Sequence, residues 1–191
     1  MIRLGILGST RGTNLDAIVT AISHQQLAAS IEIVISNKSA APILSRASVF
    51  GLITEYCDSA GLTRESFDAK VSAILKHYHI DLLVLIGYMR ILSAEFITTW
   101  QHKIINVHPS LLPAHAGKMD LEVHRAVIAA GEQETGCTVH YVTEQVDAGP
   151  ILLQKKCSVL PDDTAEILKE RVQQLEGIAL VEAIIEISRR A

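Results

Sequence analysis

The sequence is poor in cysteine and in aromatic residues, and it carries no excess of positive charge. Its 191 residues include three cysteines, Cys57, Cys137 and Cys157, an odd number without C-x-x-C spacing. This pattern argues against a disulfide framework or a zinc ribbon and favours a reducing, cytoplasmic environment. The formal net charge of -4 leaves no surplus of Lys and Arg to neutralise a phosphate backbone. We therefore expect no nucleic-acid partner, although one local site for a small anion remains compatible with this charge.

Long apolar runs are also missing. No stretch approaches the roughly 18 consecutive apolar residues that a membrane-spanning helix needs. The N-terminal residues enter an apolar run at once, without the basic region and cleavage site of an export signal. We therefore expect neither export nor membrane insertion.

What the sequence does contain is aliphatic. Hydrophobic residues make up 49% of the chain and aromatic residues only 4%, a composition typical of helices packed on a buried sheet. The length favours one α/β domain over residues 1–191.

Short β-branched and aliphatic runs alternate with segments of helical periodicity in the first half of the chain. The predicted strands are Ile2 to Leu7, Ile31 to Ile35, Leu52 to Tyr56, Leu82 to Ile86 and Lys103 to Val107. The predicted helices are Leu15 to Ser23, Ala41 to Val49 and Arg64 to Tyr78. This repeated βαβ pattern predicts a mostly parallel sheet.

The organisation changes beyond Pro109. A helical stretch, Leu121 to Ala130, precedes two strand-like runs, Cys137 to Val142 and Ile151 to Val159, which are separated by the turn 147–150. Two strands this close predict an antiparallel hairpin added to the sheet. Asp163 and Glu166 then have the spacing of a capping pair that opens a final helix.

The turn after the first strand is rich in small residues and leads into a helix. The run from Gly8 to Asn14 includes Gly12 and Thr13, and free backbone N-H groups at such a position favour a phosphate. Its spacing matches neither the dinucleotide nor the P-loop motif. A tight strand-to-helix turn with Thr13 or Asn14 as the cap explains the pattern equally well.

A second polar feature ends the strand before Pro109. Asn106 and His108 are two residues apart, so they lie on one face of the strand, at the carboxyl end where ligands bind in parallel sheets. An amide beside an imidazole suits stabilisation of an oxyanion and transfer of a proton. A hydrogen-bonded strand end without a catalytic role is the alternative.

Asp147 and His140 are candidates only if the hairpin returns them to His108. A carboxylate there would raise the imidazole pKa and orient the ring, but an ordinary turn aspartate fits the sequence as well. His108, His140 and Asp147 also have the composition of a two-histidine, one-carboxylate metal site, which is disfavoured because no further ligand cluster supports it.

Five segments occur together and in order along the chain: Gly12-Thr13-Asn14-Leu15, Ile35-Ser36-Asn37-Lys38, Gly87-Tyr88-Met89-Arg90-Ile91-Leu92, Asn106-Val107-His108-Pro109-Ser110-Leu111-Leu112-Pro113 and Gly136-Cys137-Thr138-Val139-His140. They closely resemble the phosphoribosylglycinamide formyltransferase family, from Met1 to about Glu176. The N-V-H-P-S-L-L-P block with a later V-D-A-G-P is highly specific to folate-dependent formyltransferases. The resemblance implies a Rossmann-like three-layer fold, with a mostly parallel sheet, a C-terminal antiparallel hairpin and a final helix.

The resemblance also implies roles for individual residues. It divides the chain into an N-terminal half that binds the phosphate and nucleotide and a C-terminal half that binds folate and carries the catalytic groups. The implied catalytic residues are Asn106, His108 and Asp147, with Asp147 keeping His108 charged. The implied substrate-binding residues are Gly12, Thr13, Asn14 and Glu176, and the implied folate-binding residues are Arg64, Met89, Arg90, Ile91, Leu92, Asn106 and His140.

The implied reaction is transfer of the formyl group of 10-formyltetrahydrofolate to the amine of glycinamide ribonucleotide, in de novo purine biosynthesis. The folate is a co-substrate, and no metal is expected. The implied partners are these small molecules, and the chain is expected to be a monomer or a homodimer. Thr13 stands where the family commonly has Ser, which preserves the hydroxyl. Gly177 stands where the family commonly has His, so acceptor specificity stays open.

Three other functions fit parts of the pattern. Methionyl-tRNA formyltransferase shares the N-x-H-P-S-L-L-P logic, but we expect a longer and more basic chain for it. A formyltetrahydrofolate deformylase would pass the formyl group to water with the same three residues, although an N-terminal regulatory domain usually accompanies it. A non-catalytic ligand-binding protein on the same fold would be favoured by loss of the three residues, which are all present.

Overall fold

Seven strands form one mixed sheet in the computed structural model, which describes residues 1–190. The strands are β1 (Ile2–Gly8), β2 (Ala29–Ser36), β3 (Thr54–Tyr56), β4 (Leu82–Ile86), β5 (Ile104–His108), β6 (Glu134–Tyr141) and β7 (Ile151–Ser158). Their order across the sheet is β3-β2-β1-β4-β5-β6-β7. The first five strands are parallel to one another, β6 runs antiparallel to β5, and β7 runs antiparallel to β6. This confirms the predicted sheet and its C-terminal hairpin.

Six helices within residues 1–190 cover the sheet. They are α1 (Asn14–Ser23), α2 (Pro42–Val49), α3 (Arg64–His77), α4 (Ala94–Thr99), α5 (Leu121–Ala129) and α6 (Ala165–Arg190). Among the described residues, none of the helices has the length and apolar character needed to cross a bilayer.

Alternation along the strands divides the core into two clusters, one on each face of the sheet. In β4, Leu82, Val84 and Ile86 pack with α1, α2, α5 and α6, whereas Leu83 and Leu85 pack with α3 and α4. Because successive strand residues point to opposite faces, a continuous apolar run such as β4 must be covered on both sides. The result is the three-layer arrangement that the sequence predicts.

Two local expectations differ from the structure. Helix α4 was not predicted, because its six residues are too few to show helical periodicity; the Ser93 side chain accepts a hydrogen bond from the Phe96 N-H and begins it. Asp163 does not cap α6. Its carboxylate binds Arg171 at 2.5 and 2.7 Å, and Thr164 instead accepts the N-H of Ile167 in the first turn. The bidentate pair with arginine draws Asp163 away from the helix end.

Candidate active site

A cavity of ≈ 740 Å³ opens at the carboxyl ends of the central strands. Its wall combines the turn after β1, the segment after β4, the polar end of β5, the 142–147 loop and one face of α6. Strands β2 and β4 lie on opposite sides of β1, so the direction of the strand order reverses there. Ligand crevices in open α/β sheets form at such a reversal.

Asn106, His108 and Asp147 meet in this cavity, as the resemblance to the formyltransferase family implied. Residues 106 and 108 end β5, and the loop between β6 and β7 brings Asp147 back to them. The His108 Nδ1 atom lies 3.2 Å from Asp147 Oδ2, and both side chains are at most 10% exposed. Asp147 has a φ of 54°, and the Gly117 N-H also donates to its Oδ2 atom at 2.8 Å. The carboxylate is thereby held against the imidazole.

His140 orients the Asn106 amide rather than sharing the Asp147 carboxylate. Its Nδ1 atom lies 2.9 Å from the Tyr141 carbonyl oxygen, so this nitrogen carries the ring proton. Its Nε2 atom then accepts from Asn106 Nδ2, 3.3 Å away. The second N-H of the same amide stays available to the cavity, because an amide nitrogen has two donors.

The two buried imidazoles are poorer proton acceptors than an exposed histidine. Burial lowers the pKa of His108, and the Asp147 carboxylate and a contact of 3.2 Å between His108 Nε2 and the His115 carbonyl oppose this only in part. Burial likewise lowers the pKa of His140. Burial therefore opposes the charged form of His108, whereas the Asp147 carboxylate favours it.

The possible metal site receives no support from this geometry. Asp147 does lie near both rings, but its distance to His140 Nε2 is 3.6 Å, and that nitrogen already accepts from Asn106. Within residues 1–190, no group of three or more His, Cys, Asp or Glu side chains is arranged to hold a metal ion.

The turn after β1 forms the opposite end of the cavity. Gly12 has a φ of +66°, and a Cβ atom there would lie 2.3 Å from Ile43, so only glycine fits. Thr13 stands at the N-cap of α1 without a side-chain cap bond, because its hydroxyl accepts from Gln173 Nε2 at 2.6 Å. The uncapped helix start keeps the character of an anion site.

Glu176 on α6 joins this end of the cavity. Its Oε2 atom accepts a hydrogen bond of 2.7 Å from the Nδ2 atom of buried Asn14. The residue is partly exposed to the cavity, but protein surrounds most of its carboxyl group. This desolvation raises the pKa of Glu176 to about 7, although Asn14 and the charge of Lys169 oppose the rise.

The segment after β4 lines the side of the cavity, but Arg64 does not. The four predicted residues Met89, Arg90, Ile91 and Leu92 are all part of the wall. Arg64 instead begins α3, is exposed, and lies 3.6 Å from Glu65. The structure thus brings together every predicted site residue except Arg64.

Among the polar residues of the cavity wall that were missed, Asp120, His124, Lys169 and Gln173 lie on or directly before α5 and α6. Positions 169, 173 and 176 follow the i, i+4, i+7 spacing of one helix face, so Glu176 could have pointed to the other two. Asp120 and His124 carried no such signal.

Comparison with protein families matches residues 2–184 to the family described as Formyl transferase. The chain belongs to the formyl transferase family. This formyl transferase is 37% identical over 172 residues to the phosphoribosylglycinamide formyltransferase of Escherichia coli, covering 90% of this chain and 80% of that protein. It is 39% identical over 184 residues to the trifunctional purine biosynthetic protein adenosine-3 of Gallus gallus, but it spans only 18% of that protein's length.

Solved structures agree with this membership. The glycinamide ribonucleotide transformylase 1 of Symbiobacterium toebii superposes with a TM-score of 0.94 at 39% identity, covering 99% of this formyl transferase and 88% of that chain. A formyltetrahydrofolate deformylase of Pseudomonas syringae superposes with a TM-score of 0.87 at 27% identity, covering 96% and 60% of the two chains. The fold is therefore shared by a transferase and a hydrolase of the formyl group.

Proposed function

We propose that this formyl transferase moves the formyl group of 10-formyltetrahydrofolate to the amine of glycinamide ribonucleotide, a step of purine biosynthesis. The proposal rests on one cavity with two functional ends. The start of α1, which suits a phosphate, lies at one end, and Asn106, His108 and Asp147 lie at the other. A phosphorylated amine needs both features at once. The transferase names of the relatives support the same substrates.

The acceptor lies along the turn after β1 and the α6 wall. Gly12, Thr13 and Asn14 bind its phosphate through backbone N-H groups and a hydroxyl, as the uncapped start of α1 supports. Glu176, held by Asn14, binds the part of the acceptor that leads to the amine. Phosphate binding thus belongs to the N-terminal half of the chain, and Glu176 of α6 adds a contact to the acceptor from the C-terminal half.

The folate lies on the segment after β4 and on the 142–147 loop. The backbone and apolar side chains of Met89, Ile91 and Leu92 form a surface suited to a flat ring system, and His140 closes it from β6. Folate binding and chemistry then belong mainly to the C-terminal half. Arg64 has no part in this arrangement as the structure stands.

His108 acts first as a base. Because burial lowers its pKa, the ring is largely neutral at neutral pH, with its proton on Nδ1 toward Asp147. In this neutral tautomer Nε2 has no proton to donate to the His115 carbonyl oxygen 3.2 Å away, so Nε2 takes the amine proton as the amine attacks the formyl carbon. The Asp147 carboxylate stabilises the imidazolium that results.

Asn106 and the charged His108 then stabilise the intermediate. The free Asn106 N-H donates to the oxyanion, and the imidazolium returns its proton to the departing folate nitrogen as the bond from that nitrogen to the formyl carbon breaks. Removing one such donor lowers turnover on the order of 10² to 10³-fold. We therefore expect Asn106→Ala and His108→Ala to fold but to lose turnover to this extent.

The test is a spectrophotometric assay of 10-formyltetrahydrofolate consumption by the purified protein, with and without glycinamide ribonucleotide. His108→Ala is the active-site variant, and His77→Ala, which changes an exposed residue of α3, is the matched control. Consumption that requires the ribonucleotide, persists in His77→Ala and vanishes in His108→Ala supports the proposal. Consumption without an acceptor would identify a deformylase, and no consumption under either condition would contradict both enzymes.

The small-molecule substrates need no nucleic-acid or membrane partner. The three free cysteines, two of which are buried, support a reducing, cytoplasmic location for the reaction.

A further inference from the structure

His124 is a buried polar side chain for which the proposed chemistry has no use. It lies on α5, is 1% exposed and forms part of the cavity wall. Its Nδ1 atom is buried without a hydrogen-bond partner within residues 1–190. A buried polar atom without a partner destabilises the folded state, so an imidazole at this place calls for an explanation.

The ring is neutral and has one N-H to offer. Burial and, next in size, the charge of Lys169 lower the pKa of His124 to about 4, while Asp120 opposes them. An unpaired buried N-H is rarer than an unpaired acceptor, so the sealed Nδ1 is the unprotonated nitrogen. The proton then sits on Nε2, which makes His124 an uncharged donor rather than a counter-ion for phosphate.

The surroundings of His124 place it on the acceptor side of the cavity. Helix α5 packs against α6, where Lys169 and Glu176 line the same cavity. The charge of Lys169 acts on both His124 and Glu176, and Lys169 is itself ion-paired with Asp120. Lys169 is thus already engaged by Asp120, and the neutral His124 adds an uncharged donor to this wall.

We propose that His124 Nε2 donates a hydrogen bond to an oxygen of the ribosyl part of the acceptor. This part lies between the phosphate at the start of α1 and the amine at His108, along the wall that contains Glu176. The inference rests on the proposed function and deepens it by adding a residue that selects the acceptor rather than the formyl donor.

The experiment compares His124→Phe, which fills the space without a donor, with His124→Gln, whose amide offers a donor near the position of Nε2. Loss of one hydrogen bond should raise the KM for glycinamide ribonucleotide roughly three- to tenfold in His124→Phe. The KM for 10-formyltetrahydrofolate should stay unchanged, and His124→Gln should recover most of the affinity. Calorimetric titration with the ribonucleotide alone should show the same change without turnover.

Val127→Ala is the matched control, because it loosens the buried face of the same helix without touching the cavity. It should lower stability and leave the KM for the acceptor unchanged. Acceptors that lack the ribosyl 2′- or 3′-hydroxyl should bind wild type and His124→Phe equally if the missing hydroxyl is the partner. Unchanged titration of His124→Phe, or an equal loss in Val127→Ala, would overturn the inference. Failure of the wild type to bind or formylate the ribonucleotide would instead overturn the proposed function.

Discussion

Replacing Glu176 with Gln should remove a pH-dependent cost from the folded protein. The Glu176 carboxyl group is largely surrounded by protein, and burial raises its pKa from 4.5 to about 7. The folded state therefore binds the proton more tightly than the unfolded state does. Its contribution to stability is fully present below about pH 4.5 and is lost as the pH rises through about 7.

The size of the effect follows from the pKa difference. Each tenfold change in a proton-binding constant is worth about 1.4 kcal/mol, so a pKa of about 7 in place of 4.5 corresponds to about 3 kcal/mol. Because Glu176 is partly exposed to the cavity, solvent screening reduces this to about 2 kcal/mol. Gln keeps the shape of the side chain and an oxygen that accepts from Asn14, but it does not ionise.

The assay is urea denaturation of both proteins at several values between about pH 5 and pH 8, with the free energy of unfolding compared at each pH. Relative to Glu176→Gln, the wild type should lose about 2 kcal/mol across this range. The His124, Lys169 and Asp120 side chains that face the same wall are present in both proteins, so their titration largely cancels.

Glu182→Gln is the matched control on the same helix. Glu182 pairs with Lys155 at the surface, where such pairs contribute less than about 1 kcal/mol. A difference between wild type and Glu176→Gln that stays constant with pH would refute the argument that desolvation controls this carboxyl group.

Three further predictions concern the remaining contacts. Asp147→Asn removes the charge that opposes burial at His108, so the acidic limb of the kcat/KM profile should move to lower pH, with turnover reduced on the order of 10²-fold or more; an unmoved limb would contradict this. Thr138→Val leaves the Leu112 N-H without its partner and should lower the free energy of unfolding by about 1–3 kcal/mol in urea titration, whereas Thr138→Ser should not. Gly136→Ala would place a Cβ atom 1.8 Å from a carbonyl oxygen of β7 and should lower the melting temperature, since at least about 1–3 kcal/mol of strain results; an unchanged melting temperature would speak against this packing.

Local patterns were sufficient for most of the fold. The apolar runs and helical spacings predicted each β-strand and five of the six helices, because a buried strand or an amphipathic helix reveals itself over its own length. Helix α4 is too short to do so. Asp163 was misassigned because Arg171, about two turns further along in α6, binds its carboxylate. The spacing of residues alone does not show whether Asp163 caps the helix or pairs with this arginine.

The site was predicted in part. Asn106 and His108 were found because two polar residues at period two end an apolar strand, and the shared motifs then added Asp147 and the segment 89–92. His124 and Lys169 were missed because neither lies in a motif. They reach the cavity only through the packing of α5 on α6.

The sequence by itself determined the alternation of strands and helices and the membership of the formyl transferase family, since both depend on short segments read along the chain. The tertiary structure alone decided that Asp147 contacts His108 while His140 turns to Asn106, and that burial lowers the pKa of His108 and raises that of Glu176. These properties depend on desolvation and on contacts between segments as distant as α1 and α6, which only the packing of the whole chain sets.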